Sequence, residues 1–385
     1  MAYPSPLSQP HPGAGAPISP AGSVPATVPV GSRRTGGALV WIGGVLALVL
    51  VALVAYFVNF LGPGASTVGM ILALVPLAVV AAVVRLIDRW EPEPRGIVVF
   101  AVAWGAIAAV AIALGVDLAL TFVVGPLPAE FSSVVQAPVV EEVAKGLGVF
   151  LIYVAARRSF DGPVDGIVYG ALVGAGFAFT ENIQYFAISL IEGGLSQAST
   201  TFFLRAILSP FAHVMFTALI GFAFGLAARR SLPAGAAFGY GLAGLVAAIL
   251  LHALWNGSAV FADFFALYVT VQVPLFVLFI LGVLLLRREE SRLTRVRLGE
   301  YAAAGWFTEQ EVGMLATGPG RRAALRWAKT LNGDRTRVMR RFIADATALA
   351  AARQRALSGR DPHAATVERQ LLERATRART ELFAP

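Results

Sequence analysis

The chain contains no cysteine, which excludes disulfides, thiolate metal sites and cysteine nucleophiles. Charge is also scarce. Only 14% of the 385 residues are Asp, Glu, Lys or Arg, against about 25% in a soluble globular protein. Lysine is nearly missing: Lys145 and Lys329 stand alone among 31 basic residues. In their place is apolar surface, with 57% hydrophobic residues and a mean hydropathy of +0.71. These figures exclude an ordinary soluble enzyme, a disordered chain and a coiled coil. The remaining charge is lopsided. From Arg287 onward there are 20 basic and 11 acidic residues, which leaves 11 basic and 12 acidic residues for 1–286. A nearly neutral, very apolar body with a basic tail is a membrane protein.

Residues 1–36 are rich in Pro, Gly, Ser and Ala and have no hydrophobic periodicity, so they read as disordered. No basic stretch opens directly into an apolar run at the N-terminus, which argues against a secretory signal peptide. A spanning helix needs about 20 mostly apolar residues. Eight runs meet that test, near 38–61, 66–86, 97–124, 132–156, 164–190, 202–227, 234–260 and 263–286. The expected fold is therefore all-α: a polytopic transmembrane helical bundle of about eight spans over 37–286, with its functional core in about 132–260.

Arginine marks the cytoplasmic side of a membrane protein. Arg33 and Arg34 precede span one, Arg85, Arg89 and Arg95 separate spans two and three, and Arg157 and Arg158 separate four and five. Arg229 and Arg230 separate six and seven, and Arg287 and Arg288 follow span eight. The intervening connections carry almost none, Arg205 being the exception. Both termini are expected in the cytoplasm. The Ala-, Gly- and Arg-rich composition points to the plasma membrane of a bacterium. The tail, 287–385, mixes Ala, Leu and Arg at helical spacing and reads as a small basic cytosolic helical unit attracted to anionic lipid headgroups. It has no nucleic-acid motif beyond its charge, which argues against that partner. No oligomeric state follows from the sequence.

Ionisable side chains inside spanning helices are costly, and each is a functional-site candidate by default. Span four carries Glu141, Glu142 and Lys145, span five Glu181 beside Asn182, span six His213, and span seven His252 with Asn256. Counted from the outer ends of helices that alternate in direction, Glu141, Glu181, His213 and His252 all lie roughly 12–17 Å deep. Scattered structural polar groups need no common plane, so one shared site is expected. Glu141 and Lys145 are four apart and Glu142 and Lys145 three apart, so each carboxylate reaches the ammonium. His213 has Thr217, and His252 has Asn256, one turn away. Gly170, Gly174 and Gly176 allow close helix approach near Glu181. Taken singly, the glutamate–lysine group has a structural ion pair as its alternative reading, and a lone histidine more often makes an interhelical hydrogen bond than it does chemistry.

These residues resemble a known family. Glu141-Glu142-Val143-Ala144-Lys145 reads EExxK, and the stretch from Phe177 to Glu181-Asn182 reads FxxxEN. His213-xxx-Thr217 and His252-xxx-Asn256 follow on successive helices. Over about residues 66–260 the chain resembles the PrsW family of intramembrane proteases, distantly similar to the prenyl-protein (CAAX) proteases and bacteriocin-processing enzymes. Asp88-Arg89-Trp90-Glu91-Pro92-Glu93-Pro94 and Asp165-Gly166 also look typical of it. The resemblance implies an intramembrane endopeptidase acting on membrane-anchored or extracytoplasmic proteins, including anti-sigma factors. By similarity to the prenyl proteases, Glu141 is the general base, Glu142 supports it, and His252 and Asn256 stabilise the oxyanion. Those enzymes have a histidine where this chain has Glu181.

Peptide hydrolysis needs a polarised water, a proton acceptor, a proton donor to the leaving amine and an oxyanion stabiliser. Glutamate chemistry alone and a divalent metal such as zinc both remain open. Glu141, Glu181, His213 and His252 make an O/N set compatible with zinc, and Glu181, His213 and His252 are the candidate ligands. There is no HExxH. The rival reading is a proton-coupled membrane transporter that uses the same Glu, Lys and His set. Against it, the first four spans do not repeat in the last four.

Overall fold

The computed structural model describes residues 33–157, 159–230, 232–261, 263–357 and 363–383. The segment expected to be disordered over 1–36 lies outside these residues except for its last four positions, where the first helix begins. Among the described residues every regular element is helical. In lipid the backbone must satisfy its own N–H and C=O groups, and a helix does so within one segment.

The chain divides into two units, and the division falls at Leu284, three residues before the expected start of the tail. The first unit opens with α1 (Arg33–Leu61) and α2 (Pro63–Ile87), then α3 (Arg95–Ala103) and α4 (Val110–Val123). It continues with the short α5 (Ala129–Phe131), α6 (Ala137–Ala155), α7 (Pro163–Phe202), α8 (Ala212–Arg229), α9 (Ala234–Phe261) and the short α10 (Phe264–Leu267). Wide π-type turns join several of them, at Trp104–Ala109, Ser132–Gln136, Phe203–Leu208 and Tyr268–Gln272. Helix breaks follow the punctuation in the sequence. Gly62 has φ 78° before Pro63, Gly125 has φ 93° before Pro126, and Pro163 opens α7.

Six described segments are long and apolar enough to cross a membrane: 40–61, 63–87, 95–123, 163–229, 235–261 and 264–303. The number differs from the expected eight for two reasons. Segment 163–229 holds both α7 and α8. And α6 carries Glu141, Glu142 and Lys145, so it falls outside a test that admits only apolar helices.

Helix α7 is the centre of the first unit and is buried on all sides from Pro163 to Phe177. Its glycines explain how. A Cβ on Gly166 would sit 2.0 Å from the Gly221 carbonyl oxygen, one on Gly170 2.5 Å from that of Thr217, and one on Gly174 2.4 Å from that of His213. The α7 and α8 backbones therefore touch along three turns, which fixes His213 against α7. Gly221→Val is expected to force these helices apart and to lower the thermal unfolding midpoint in detergent sharply. Gly115→Ala, with nothing within 4 Å of its added carbon, is expected to leave it unchanged. Helix α6 is seated by Trp104, whose indole donates to the Ala144 carbonyl (3.0 Å) and fills the notch over Gly148.

The connection 88–94 is tied to the start of α7. The Asp88 carboxylate accepts the Glu93 N–H (3.1 Å), the Asp165 carboxylate accepts the N–H groups of Asp161 (3.0 Å) and Gly162 (2.8 Å), and the Tyr169 hydroxyl donates to Glu93. Burial pushes the Glu93 carboxyl up from its ordinary 4.5 to about 8, with the Asp88 and Glu91 charges adding to the rise and the Tyr169 hydrogen bond opposing it. A folded-state value above the unfolded one means that the folded protein holds the extra proton. The stability from this group is present in full below about pH 4.5 and is lost as pH rises through 8. The expected result is an unfolding midpoint that declines between pH 5 and 8 in the wild type, and declines less in Glu93→Gln.

The second unit contains the end of α11 (Val273–Ala303), α12 (Glu309–Leu315), α13 (Gly318–Thr330), α14 (Thr336–Leu357) and α15 (Ala364–Phe383). It has its own core, built on Leu298, Tyr301, Phe307, Leu315, Met339, Phe342, Leu349 and Leu372. Thr308 and Glu311 cap α12 reciprocally. Buried Glu368 accepts the Tyr301 hydroxyl and lies 3.5 Å from Arg353.

Candidate active site

Helix periodicity places Glu141, Glu142 and Lys145 on neighbouring positions of α6, and α7, α8 and α9 close around them. Lys145 and Glu142 are completely buried, and Nζ lies 2.6 Å from Glu142 Oε1. A charge pair inside apolar surroundings persists only when both members are well partnered. Here they are. Glu142 Oε1 also faces His252 Nδ1 at 3.0 Å, and Oε2 accepts from Thr217 Oγ1 at 3.2 Å. Lys145 Nζ is 3.2 Å from His213 Nδ1, 3.5 Å from Glu141 Oε2 and 4.2 Å from the centre of the Phe177 ring.

The partners assign the histidine protons. Nδ1 of His252 donates to the Glu142 carboxylate, which leaves Nε2 with its lone pair, 3.9 Å from Glu141 Oε2. Nδ1 of His213 faces the ammonium and accepts, so Nε2 donates to Glu181 Oε2 at 2.8 Å. The two imidazole rings stand perpendicular, 5.0 Å apart, and Phe216 stacks on His252 at 4.8 Å. Glu141 Oε2 is buried and accepts no hydrogen bond.

One network thus contains Glu141, Glu142, Lys145, Glu181, His213 and His252. Asn256 lies at its edge: Nδ2 donates to the Ser133 carbonyl at 2.7 Å and ties α9 to the turn that precedes α6. Glu181 differs from expectation in its company. Arg205 forms an ion pair with it, donates to Asn182 Oδ1 (2.6 Å) and stacks over Tyr185 (3.9 Å). Among the described residues, Glu141, His213 and His252 form a cluster whose ligand atoms all lie within 4.8 Å of one another, all three from the expected O/N set, while Glu181 reaches the histidines through His213 Nε2 at 2.8 Å. In the sequence Arg205 stands out only as an exception to the charge pattern.

A cavity of about 510 Å³ opens beside Glu141 and Glu181. Three helix faces line it: Val110, Ala113, Leu114 and Asp117 on α4, the stretch from Ser132 to Glu141, and Phe177, Glu181, Gln184, Tyr185 and Ile188 on α7. Glu141 belongs both to this wall and to the donor cluster. Asp117 was missed in the sequence, although it is an ionisable residue inside the expected span 97–124 and the same rule of cost applied to it.

The fold and this buried Glu–Lys–His network define a multi-pass helical membrane protein with a polar centre walled by four helices. Residues 93–281 match the model of a family described as PrsW family intramembrane metalloprotease. Across that segment the chain is similar to the PrsW family. It is 33% identical over 141 residues to Protease PrsW of Geobacillus kaustophilus, covering 36% of this chain and 58% of that protein. Against Protease PrsW of Clostridioides difficile it is 30% identical over 154 residues, 40% and 63% of the two chains. Against that of Bacillus subtilis it is 38% identical over 97 residues, 25% and 40% of the two chains. The matches span less than two thirds of these relatives' lengths. No solved structure matches.

Proposed function

We propose that the chain is an intramembrane endopeptidase that hydrolyses peptide bonds in membrane-anchored or extracytoplasmic proteins, with anti-sigma factors among them, in the plasma membrane of a bacterium and with both termini cytoplasmic. The observation that carries the reading is Glu141: a buried carboxylate oxygen without a hydrogen-bond partner, beside the His252 Nε2 lone pair, in the wall of a peptide-sized cavity.

The donor set fits the metal that the family description implies. Glu141, His213 and His252 offer one oxygen and two nitrogens, a set that zinc takes; the Glu141 oxygen accepts no hydrogen bond, and the His213 nitrogen that faces Lys145 would serve once the ammonium turned away. These three residues would hold the ion, which supplies polarisation of water and of the substrate carbonyl. A carboxylate has two oxygens, so holding an ion through one leaves the other as base.

Glu141 takes a proton from water as the water oxygen bonds to the carbonyl carbon, and returns it to the amine nitrogen as the C–N bond breaks. Glu142 holds His252 in one tautomer through the 3.0 Å contact to Nδ1, and Lys145 balances the Glu142 charge. Asn256 spends one N–H on Ser133 and keeps the second for the oxyanion. Glu181, fixed by Arg205, orients His213.

Mass spectrometry of new N-termini in membranes with and without the chain tests the reading. The expected termini disappear with a zinc chelator and return when zinc is restored. Identical termini with and without the chain overturn it, and proton flux in liposomes would then test the transporter alternative.

A further inference from the structure

The geometry points to Asp117 as a specificity-determining residue that takes a Lys or Arg side chain of the substrate, two to three residues from the scissile bond. The inference rests on the protease reading above and adds which peptides the cavity accepts.

The cavity is a channel along three helices. On α4 it runs from Val110 to Asp117, on α6 and the turn before it back from Glu141 to Ser133, and on α7 from Phe177 to Ile188. Eight to twelve residues at about 1.5 Å rise give a channel roughly 10–16 Å long. An extended chain advances about 3.3 Å per residue, so the channel takes three to five residues. Its walls are apolar at Val110, Ala113, Leu114 and Ile188, which suits a segment drawn from a membrane-anchored protein.

Three carboxylates face this space, and two are already partnered by the catalytic network. Glu141 has Lys145 at 3.5 Å, and Glu181 has Arg205 and His213. The third, Asp117, is exposed, and its side chain accepts from the neutral Gln136 amide at 3.0 Å. Gln136 is in turn held by Ser132 Oγ at 3.1 Å, so the carboxylate is aimed by a built string of hydrogen bonds. Among the described residues no cationic side chain forms an ion pair with it. An ionised carboxylate inside a spanning helix is costly without a counter-charge. A basic substrate residue supplies that charge. Gln136, the last residue of the turn before α6, precedes Glu141 by five residues, about 7.5 Å along the helical path, which is the length of two to three extended residues.

Purified full-length protein in liposomes is given a library of synthetic peptides with an apolar centre and randomised flanks, and cut positions are read by mass spectrometry. Wild-type cuts are expected to be enriched about fivefold in Lys or Arg at one position two or three residues from the bond. Asp117→Asn is expected to lose the enrichment, and Asp117→Lys to favour Asp or Glu there. Asp117→Glu, which keeps the charge, is expected to keep the preference, which separates recognition from folding. Equal preferences in wild type and Asp117→Asn, with cuts that still require Glu141, overturn the inference alone. Absence of any cut that requires Glu141 overturns the protease reading and this inference with it.

Discussion

Glu141→Gln is expected to lower the cleavage rate by about 10²–10⁴-fold, the range typical of removing a general base. The amide has nearly the same shape as the carboxylate but cannot take the water proton. Stability is expected to change little. Lys145 keeps its shorter contact to Glu142, 2.6 Å against 3.5 Å to Glu141, so no charge is left alone in the bundle. Initial rates with one peptide, beside unfolding midpoints in the same detergent, check both halves. An unaltered rate would remove Glu141 from the chemistry. A lost rate together with a collapsed midpoint would make its role structural.

Lys145→Met is expected to act the other way, on the fold first. It leaves Glu142, fully buried, with Thr217 and His252 but without its counter-charge. Breaking one member out of a buried ion pair costs about 3–5 kcal/mol. His213 also loses the group facing Nδ1, so its proton is no longer fixed toward Glu181. Adding Glu142→Gln to Lys145→Met is expected to restore part of the lost stability, because the stranded charge is gone, while activity stays lost. Unfolding free energies of the two single variants and the double variant form a cycle that isolates the pair. Additive losses would show that the ammonium and the carboxylate are not coupled.

Much of this was legible in the sequence because it depends on spacing along one axis. Apolar runs marked the helices, and rise per residue put Glu141, Glu181, His213 and His252 at one depth. Spacing of three and four predicted the contacts of Lys145 with both glutamates. What depth does not report is rotation about each helix axis. That rotation brings Glu141 within reach of both histidines and turns Glu181 to His213 and Arg205. Arg205 reaches Glu181 from 24 positions away, through the path of the chain after Gly193 and Gly194, which no local pattern records. Asn256 was paired with His252 by its spacing, yet its amide is bound to Ser133, 123 residues earlier. Asp117 was legible and overlooked. The eight expected spans and the six apolar segments differ at α6 for the reason that makes that helix interesting: its charges disguise it.

The wide turn at Ser132–Gln136 has a consequence for chain length. A π-type turn holds one residue more than the α-helical path it replaces. The surplus is absorbed locally, so the helix beyond it keeps its phase. Homologous chains one residue shorter in this stretch can close the turn to ordinary α geometry and still present their glutamate pair at the same angle. Alignments that penalise a single-residue gap here would misplace the wall of the cavity while leaving its chemistry in register.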